Sequence, residues 1–120
     1  MECELIINPD QITLQLDSED KQALAKIRNM FENAGLLASL TAATHVLAWA
    51  DMEVGLVTVG TEDWNQLGNA IAGIGKLSLI GAQKVSSVEW LRHSRQGTKE
   101  QERFWANFNS IVTRKIKGLC

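Results

Sequence analysis

The C-terminal stretch TKEQERFWANFNSIVTRKIKGL, residues 98–119, has the strongest helical pattern in the sequence. It begins with a capping box, Thr98–Gln101, whose hydroxyl and side-chain amide satisfy free N–H groups at a helix start. At about 100° per residue, one broad side of this helix is apolar, so we expect that side to dock on the core. The apolar side comprises Phe104, Trp105, Phe108, Ile111, Val112, Ile116 and Leu119.

Positive charges occupy the opposite side of the same helix. Just before the helix, Lys84, Arg92 and Arg95 add further positive charge. Together they predict a cationic surface suited to phosphates or to an acidic protein. A solvated helix face, with bases favoured near helix C-termini by the dipole, is the alternative. The charges on the helix itself are Lys99, Arg103, Arg114 and Lys117, beside polar Asn107 and Ser110.

Two segments lead up to the final helix. Ser86–Glu89 matches a second capping box and predicts a short helix that ends before Gly97. The glycines at 73, 75 and 81 each weaken a helix by roughly 1 kcal/mol. Residues 75–86 are therefore left open as a loop, a strand or a bent continuation of the preceding helix.

The N-terminal part predicts a hairpin and a helix. Glu4–Ile7 and Gln11–Leu16 flank a turn-forming Asn-Pro-Asp, which indicates two antiparallel strands. Asp17 or Ser18 can then cap a helix that runs to about Ala34.

The middle of the chain predicts a central helix, a third strand and a further helix. Leu36–Asp51 is apolar on several faces, as expected of a central helix. Residues 53–60 are rich in β-branched side chains and predict a short strand that pairs with the hairpin. Thr61, followed by two acids, predicts the start of a helix that reaches about Ile74.

Length and composition favour one ordinary domain. The chain has 120 residues, of which 45% are hydrophobic and 22% charged, which is far from the composition of disordered chains. The fold class we predict is α+β over residues 1–120. It is mainly helical, with four to five helices packed on a small N-terminal antiparallel sheet of two to three strands.

Charge is unevenly distributed between the two halves. Residues 1–65 carry 11 acids and 3 bases, whereas residues 66–120 carry 3 acids and 9 bases. We expect the acidic and basic halves to lie on different faces. The sequence shows neither a secretory signal nor a membrane span, and it has only two cysteines, Cys3 and Cys120, so we expect free thiols in a reducing cytoplasm.

The sequence contains no self-evident catalytic centre. His45 and Trp49 share a helix side, which favours a buried, hydrogen-bonded histidine, and we expect His93 on a polar face. The cysteines and histidines lack zinc-ligand spacing, and the acids are explained as helix caps, so neither a metal nor a cofactor is predicted. Residues 68–78 fail the phosphate-loop pattern because Ala70 and Leu77 replace its first glycine and its hydroxyl.

We therefore expect a non-enzymatic interaction protein of the regulator, inhibitor, immunity or adaptor type. Its partner is another protein, with an acidic one best matched to the basic side chains. A nucleic-acid-binding regulator that also uses Lys115 is the alternative, and a homodimer pairing acidic and basic faces is a further option. An enzyme would need His45 or His93 beside a carboxylate or cysteine. The predicted partner-binding residues are Arg92, Arg95, Lys99, Arg103, Arg114, Lys117 and Trp90.

Overall fold

The computed structural model describes residues 11–33, 45–51 and 55–118. Its architecture is the predicted α+β fold, mainly helical, with a two-stranded antiparallel sheet and five helices in those ranges. In chain order the elements are β1 (Ile12–Gln15), α1 (Ser18–Asn33), α2 (His45–Ala48) with a 3₁₀ turn at Trp49–Asp51, β2 (Leu56–Val59), α3 (Thr61–Ala70), α4 (Lys76–Gln96) and α5 (Lys99–Ile116).

The sheet pairs β1 with β2, as predicted for the third strand. The register places Ile12 opposite Val59 and Leu14 opposite Val57, and all four side chains are buried. The intervening residues point to the other face, where Thr13 Oγ1 and Thr58 Oγ1 are 2.9 Å apart. This alternation of apolar and polar residues fixes the register, because a one-residue shift would expose the apolar set.

The predicted start of α1 is confirmed, and its cap is Asp17. Asp17 Oδ1 accepts from the Asp20 backbone N–H at 2.8 Å, while Asp20 Oδ2 accepts from the Asp17 N–H at 2.9 Å. This reciprocal pair has the geometry of a capping box. The helix α3 begins at Thr61, as predicted, but its N-cap is Gly60 and it ends at Ala70, short of the predicted Ile74.

The prediction of a helix starting at Ser86 is wrong, because α4 runs without a break from Lys76 to Gln96. The Ser86 hydroxyl donates to the Gln83 carbonyl at 3.0 Å, as an interior helical serine can. The glycine at 81 does not end the helix. A Cβ there would lie 2.8 Å from Met30 Sδ, so glycine lets α1 and α4 approach closely.

The prediction for the final helix is confirmed. Thr98 and Gln101 form the predicted capping box at the start of α5. Aromatic and aliphatic residues of α5 are buried in the hydrophobic core, and α5 packs against α4, α3 and β1. The buried residues of α5 are Phe104, Trp105, Phe108, Ile111 and Val112.

Some predictions fall outside the described residues. They concern the first hairpin strand at 4–7, the helix over 36–44, the His45 side chain and both cysteines. None of the helices in the described ranges is long and apolar enough to cross a membrane.

Candidate functional site

Arg92, one of the predicted partner-binding residues, lies in an ionic network within its own chain. Its guanidinium contacts Asp17 Oδ2 at 2.9 Å, Asp20 Oδ1 at 3.0 Å and Glu89 Oε1 at 2.7 Å. Glu19 Oε2 lies 3.0 Å from Arg92 Nε. Four carboxylates therefore surround one half-buried arginine, and Arg92 is not the free surface charge that the sequence suggested.

Asp20 is the fully buried centre of this network. Its Oδ1 also accepts from Trp105 Nε1 at 2.9 Å and lies 2.6 Å from His93 Nε2. These donors come from α4 and α5, whereas Asp20 belongs to the first turn of α1. The carboxylate thus joins three helices, and the donors offset the cost of burying its charge.

The electrostatics of the network favour its charged forms. Burial alone would raise the pKa of Asp17, but hydrogen bonds from Arg92 and the Asp20 backbone, together with the Arg92 charge, lower it from 3.8 to about 2. The hydrogen bonds to Asp17 and Glu89 and their charges raise the already high pKa of Arg92, against its burial. The ion pair between Asp17 and Arg92 therefore persists throughout the neutral pH range.

His93 lies on a polar side of α4, as predicted, but that side is buried and not exposed to solvent. Its Nε2 lies within hydrogen-bond reach of the Asp20 carboxylate, which is the arrangement expected of an enzyme. Both side chains are buried, however, and neither faces an open cleft. Asp17, Asp20 and His93 also place potential metal-ligand atoms within 4.8 Å of one another. Arg92 donates to oxygens of both aspartates, so a cation would have to displace a guanidinium.

The network also brings the two oppositely charged halves of the chain into contact. Arg92 belongs to the basic half, and three of its four carboxylate partners belong to the acidic half. The expectation that the acidic and basic halves lie on different faces is therefore wrong at the Arg92 network. Most of the positive charge lies elsewhere, on the outer sides of α4 and α5.

The other predicted partner-binding residues remain on or near the surface. Arg95, Lys99 and Lys117 are exposed, whereas Arg103 and Arg114 are half-buried. Trp90 is partly exposed. Lys115, named for the nucleic-acid alternative, is half-buried, and its burial lowers its pKa.

An apolar surface on α4 was not predicted from the sequence. Leu77, Val88 and Leu91 are exposed by 87%, 63% and 55%. With Lys84 and Arg95 they fall within ~60° of one another around the helix at 3.6 residues per turn. We call these five residues the outer α4 face. The signal was seven-residue spacing, which the prediction of a break before residue 86 obscured.

The inner side of α4 is correspondingly polar, because Ser86, Glu89 and His93 are buried. Asn109 of α5 donates to Ser86 Oγ at 3.0 Å and to Ser87 Oγ at 2.8 Å. Glu89 and His93 bind Arg92 and Asp20 respectively. In its C-terminal half, α4 therefore buries polar side chains and exposes apolar ones, the reverse of an ordinary surface helix.

Two grooves, each of about 340 Å³, flank Val88. One is lined by Leu91, Arg95 and Gln96, and the other lies between α1 and α4, with Glu19, Lys26 and Val85 in its walls. Val88 forms the ridge between them because it lines both.

Comparisons of the chain with protein-family models, with curated proteins and with solved structures find no match.

Proposed function

We propose that the chain is a non-enzymatic interaction protein that binds a partner protein through the outer α4 face. The observation that carries this proposal is the reversed polarity of the C-terminal half of α4, which exposes Val88 and Leu91 and buries Glu89 and His93. Val88 and Leu91 are neighbours three positions apart, and an exposed apolar surface flanked by polar residues is typical of a protein contact site. Regulators, inhibitors, immunity proteins and adaptors are the classes we expect, acting in the cytoplasm.

The composition of this surface supports a protein partner. Interfaces combine an apolar centre with aromatic residues and arginine, while charged residues are depleted at that centre. Val88 and Leu91 supply the apolar centre, and Arg95 lies one turn beyond Leu91. Trp90 lies ~100° around the helix from Leu91, where it can extend the contact.

Site-specific photo-crosslinking in the native cell tests this function. A photoreactive amino acid is placed at Val88, and the control carries it at Leu56, an apolar residue of β2 with a similar exposure of 62%. We expect a discrete protein adduct from position 88 that Leu91→Glu removes, with none from position 56. Equal labelling at both positions, or no adduct at position 88, would contradict the proposal.

A second copy of the chain is one protein that such an adduct can identify. The uneven charge of the two halves is the reason to consider it. Solution mass measured at low and high salt separates the cases. A monomer at both salt concentrations removes self-association while leaving a different partner in place.

Nucleic-acid binding is a second candidate, favoured by the outward charges of α5. Lys99 and Lys117 are exposed on the side opposite the buried aromatic residues. Binding through these charges and Arg103 would weaken steeply with salt, because neutralised phosphates release counterions. A mobility-shift assay at ~50 mM salt that shows no complex would reject it.

A further inference from the structure

We infer that the outer α4 face binds an acidic amphipathic helix of another protein. This inference rests on the proposed function and adds the chemistry of the partner.

The shape of the stripe matches a helix lying along α4. Leu77, Lys84 and Leu91 recur every seven residues, as do Val88 and Arg95, over ~27 Å at 1.5 Å per residue. A seven-residue repeat keeps a narrow seam facing a partner helix, as in coiled coils. The grooves on either side of Val88 provide holes into which side chains of that helix can insert.

The exposed charges of α4 itself favour an acidic partner. Lys76, Lys84 and Arg95 are exposed on α4, whereas its single acid, Glu89, is buried against Arg92. On the α1 wall of the second groove, Lys26 adds a positive charge beside Glu19, which shares Arg92 with three other carboxylates. Opposite charges across an interface favour association and suppress wrong partners.

A second α4 is a poor occupant for the same reason. Aligned in parallel, two copies place Lys84 and Arg95 each against its own equivalent. An antiparallel register that joins Val88 to Leu91 places Lys84 against Arg95. Because α4 exposes no acid, its cations gain no opposite charge in any register.

A membrane surface also attracts cationic amphipathic helices, but the geometry favours a protein. Helices that lie on membranes bury a wide apolar face in the lipid. The outer α4 face spans only ~60° and has Lys84 at its middle, which suits a narrow helix–helix seam. Anionic vesicles are therefore included in the test as a competing target.

The test uses three fluorescent helical peptides of 21 residues. One has leucine at the seam positions and glutamate beside them, the second has lysine in place of every glutamate, and the third contains the residues of the first in shuffled order. Fluorescence anisotropy measures their affinity for the full chain at low salt. We expect the ordered acidic peptide to bind at least about tenfold more tightly than either of the others.

Charge reversal on α4 sharpens the test. The double variant Lys84→Glu with Arg95→Glu should exchange the preference, binding the lysine peptide more tightly than the glutamate peptide. The matched double variant on α5, Arg103→Glu with Lys117→Glu, should keep the wild-type preference. Val88→Glu should abolish binding of both ordered peptides, and Leu56→Glu should not.

Several results would overturn the inference. They are tight binding of the shuffled or lysine peptide, absence of binding by all three, exchange of preference in the α5 variant, and preference for anionic vesicles over the acidic peptide. If the peptide test fails but a crosslinked adduct still forms at position 88, the proposed function stands and only the acidic helix is rejected. Absence of that adduct rejects the proposed function itself.

Discussion

Asp20 shows how one buried carboxylate can hold several elements together. Its two oxygens accept from Arg92, Trp105 and the Asp17 backbone, and His93 completes the shell. A buried charge with this many partners costs little while all of them remain, but losing it leaves several donors unsatisfied. The stability of the α1, α4 and α5 junction therefore depends on this single side chain.

Replacing Asp20 with asparagine should lower the free energy of unfolding by about 3 kcal/mol, since it removes a buried charge but keeps the side-chain size. Urea unfolding at neutral pH measures the change. The control is Glu100→Gln, an exposed acid in the first turn of α5, which we expect to change stability by less than about 1 kcal/mol. Equal losses in both variants would show that helix-dipole effects, not the network, explain the result.

Asp17 should make stability depend on pH in the acid range. Its pKa in the folded chain is about 2, below its ordinary 3.8, so the ionised form stabilises the fold. This contribution is complete above about pH 4 and is lost as the pH falls through 2. Because the side chain is partly exposed, we expect at most about 1 kcal/mol after solvent screening.

The variant Asp17→Asn isolates that contribution. The difference in unfolding free energy between wild type and variant should shrink as the pH falls from 5 to 2, when measured by urea unfolding at each pH. Carboxylates that lie far from the Arg92 network titrate in the same way in both proteins and cancel in the difference. A constant difference over the whole range would contradict the role assigned to Asp17.

At the scale of the elements, the junction between α4 and α5 depends on a small residue. The Gly97 N–H donates to the His93 carbonyl at 2.9 Å and closes α4. A Cβ at this position would collide with His93 Nδ1 and lie 2.8 Å from Gln101 Oε1, part of the α5 capping box. One added methyl group would therefore disturb the end of one helix and the start of the next.

Gly97→Ala should destabilise the protein by about 1–3 kcal/mol, the usual cost of overpacking. Gly73→Ala is the matched control, because a Cβ there meets nothing within 4 Å, and we expect a change of about 0.5 kcal/mol or less. Thermal unfolding followed by circular dichroism compares the two. Similar melting temperatures for both variants would contradict the steric argument.

The elements that the sequence predicted well are those with local signals. The Thr98 capping box, the alternation in β1 and the buried side of α5 each depend on residues within a few positions of one another. The continuity of α4 could not be predicted in this way, because Gly81 is explained only by Met30 of α1. The outer α4 face was lost with it, since its seven-residue spacing crosses the predicted break.

The placement of Arg92 and His93 lay beyond the sequence for a related reason. Arg92 pairs with Asp17, 75 positions away, and His93 with Asp20, 73 positions away. Periodicity assigns a residue to a side of its own helix but not to a partner on another. The acids of α1 were correctly predicted as caps, and the same carboxylates also neutralise Arg92, which only the tertiary fold reveals.

At the scale of the whole molecule, an aromatic cluster connects α3 and the 3₁₀ turn to the final helix. The ring centroid of Phe104 in α5 lies 5.3 Å from that of Trp64 in α3 and 6.2 Å from that of Trp49. Phe104 also contacts Trp105 edge to face at 5.0 Å. These rings belong to distant parts of the chain. If residues 1–120 form the single domain that the composition predicts, the packing of the rings should make the elements unfold as one cooperative unit.

Phe104→Ala tests that cooperativity, because it removes the ring at the centre of the cluster. We expect a loss of about 3–5 kcal/mol from the transferred surface and the cavity left behind. Leu77→Ala, at an 87% exposed position, should stay within about 0.5 kcal/mol of wild type. Unfolding is followed by near-ultraviolet circular dichroism for the aromatic core and by far-ultraviolet circular dichroism for the helices. In a single cooperative unit, both unfolding transitions should have the same, lower midpoint. Separate transitions would show instead that the helices can persist without the aromatic core, so that the chain is not one cooperative domain.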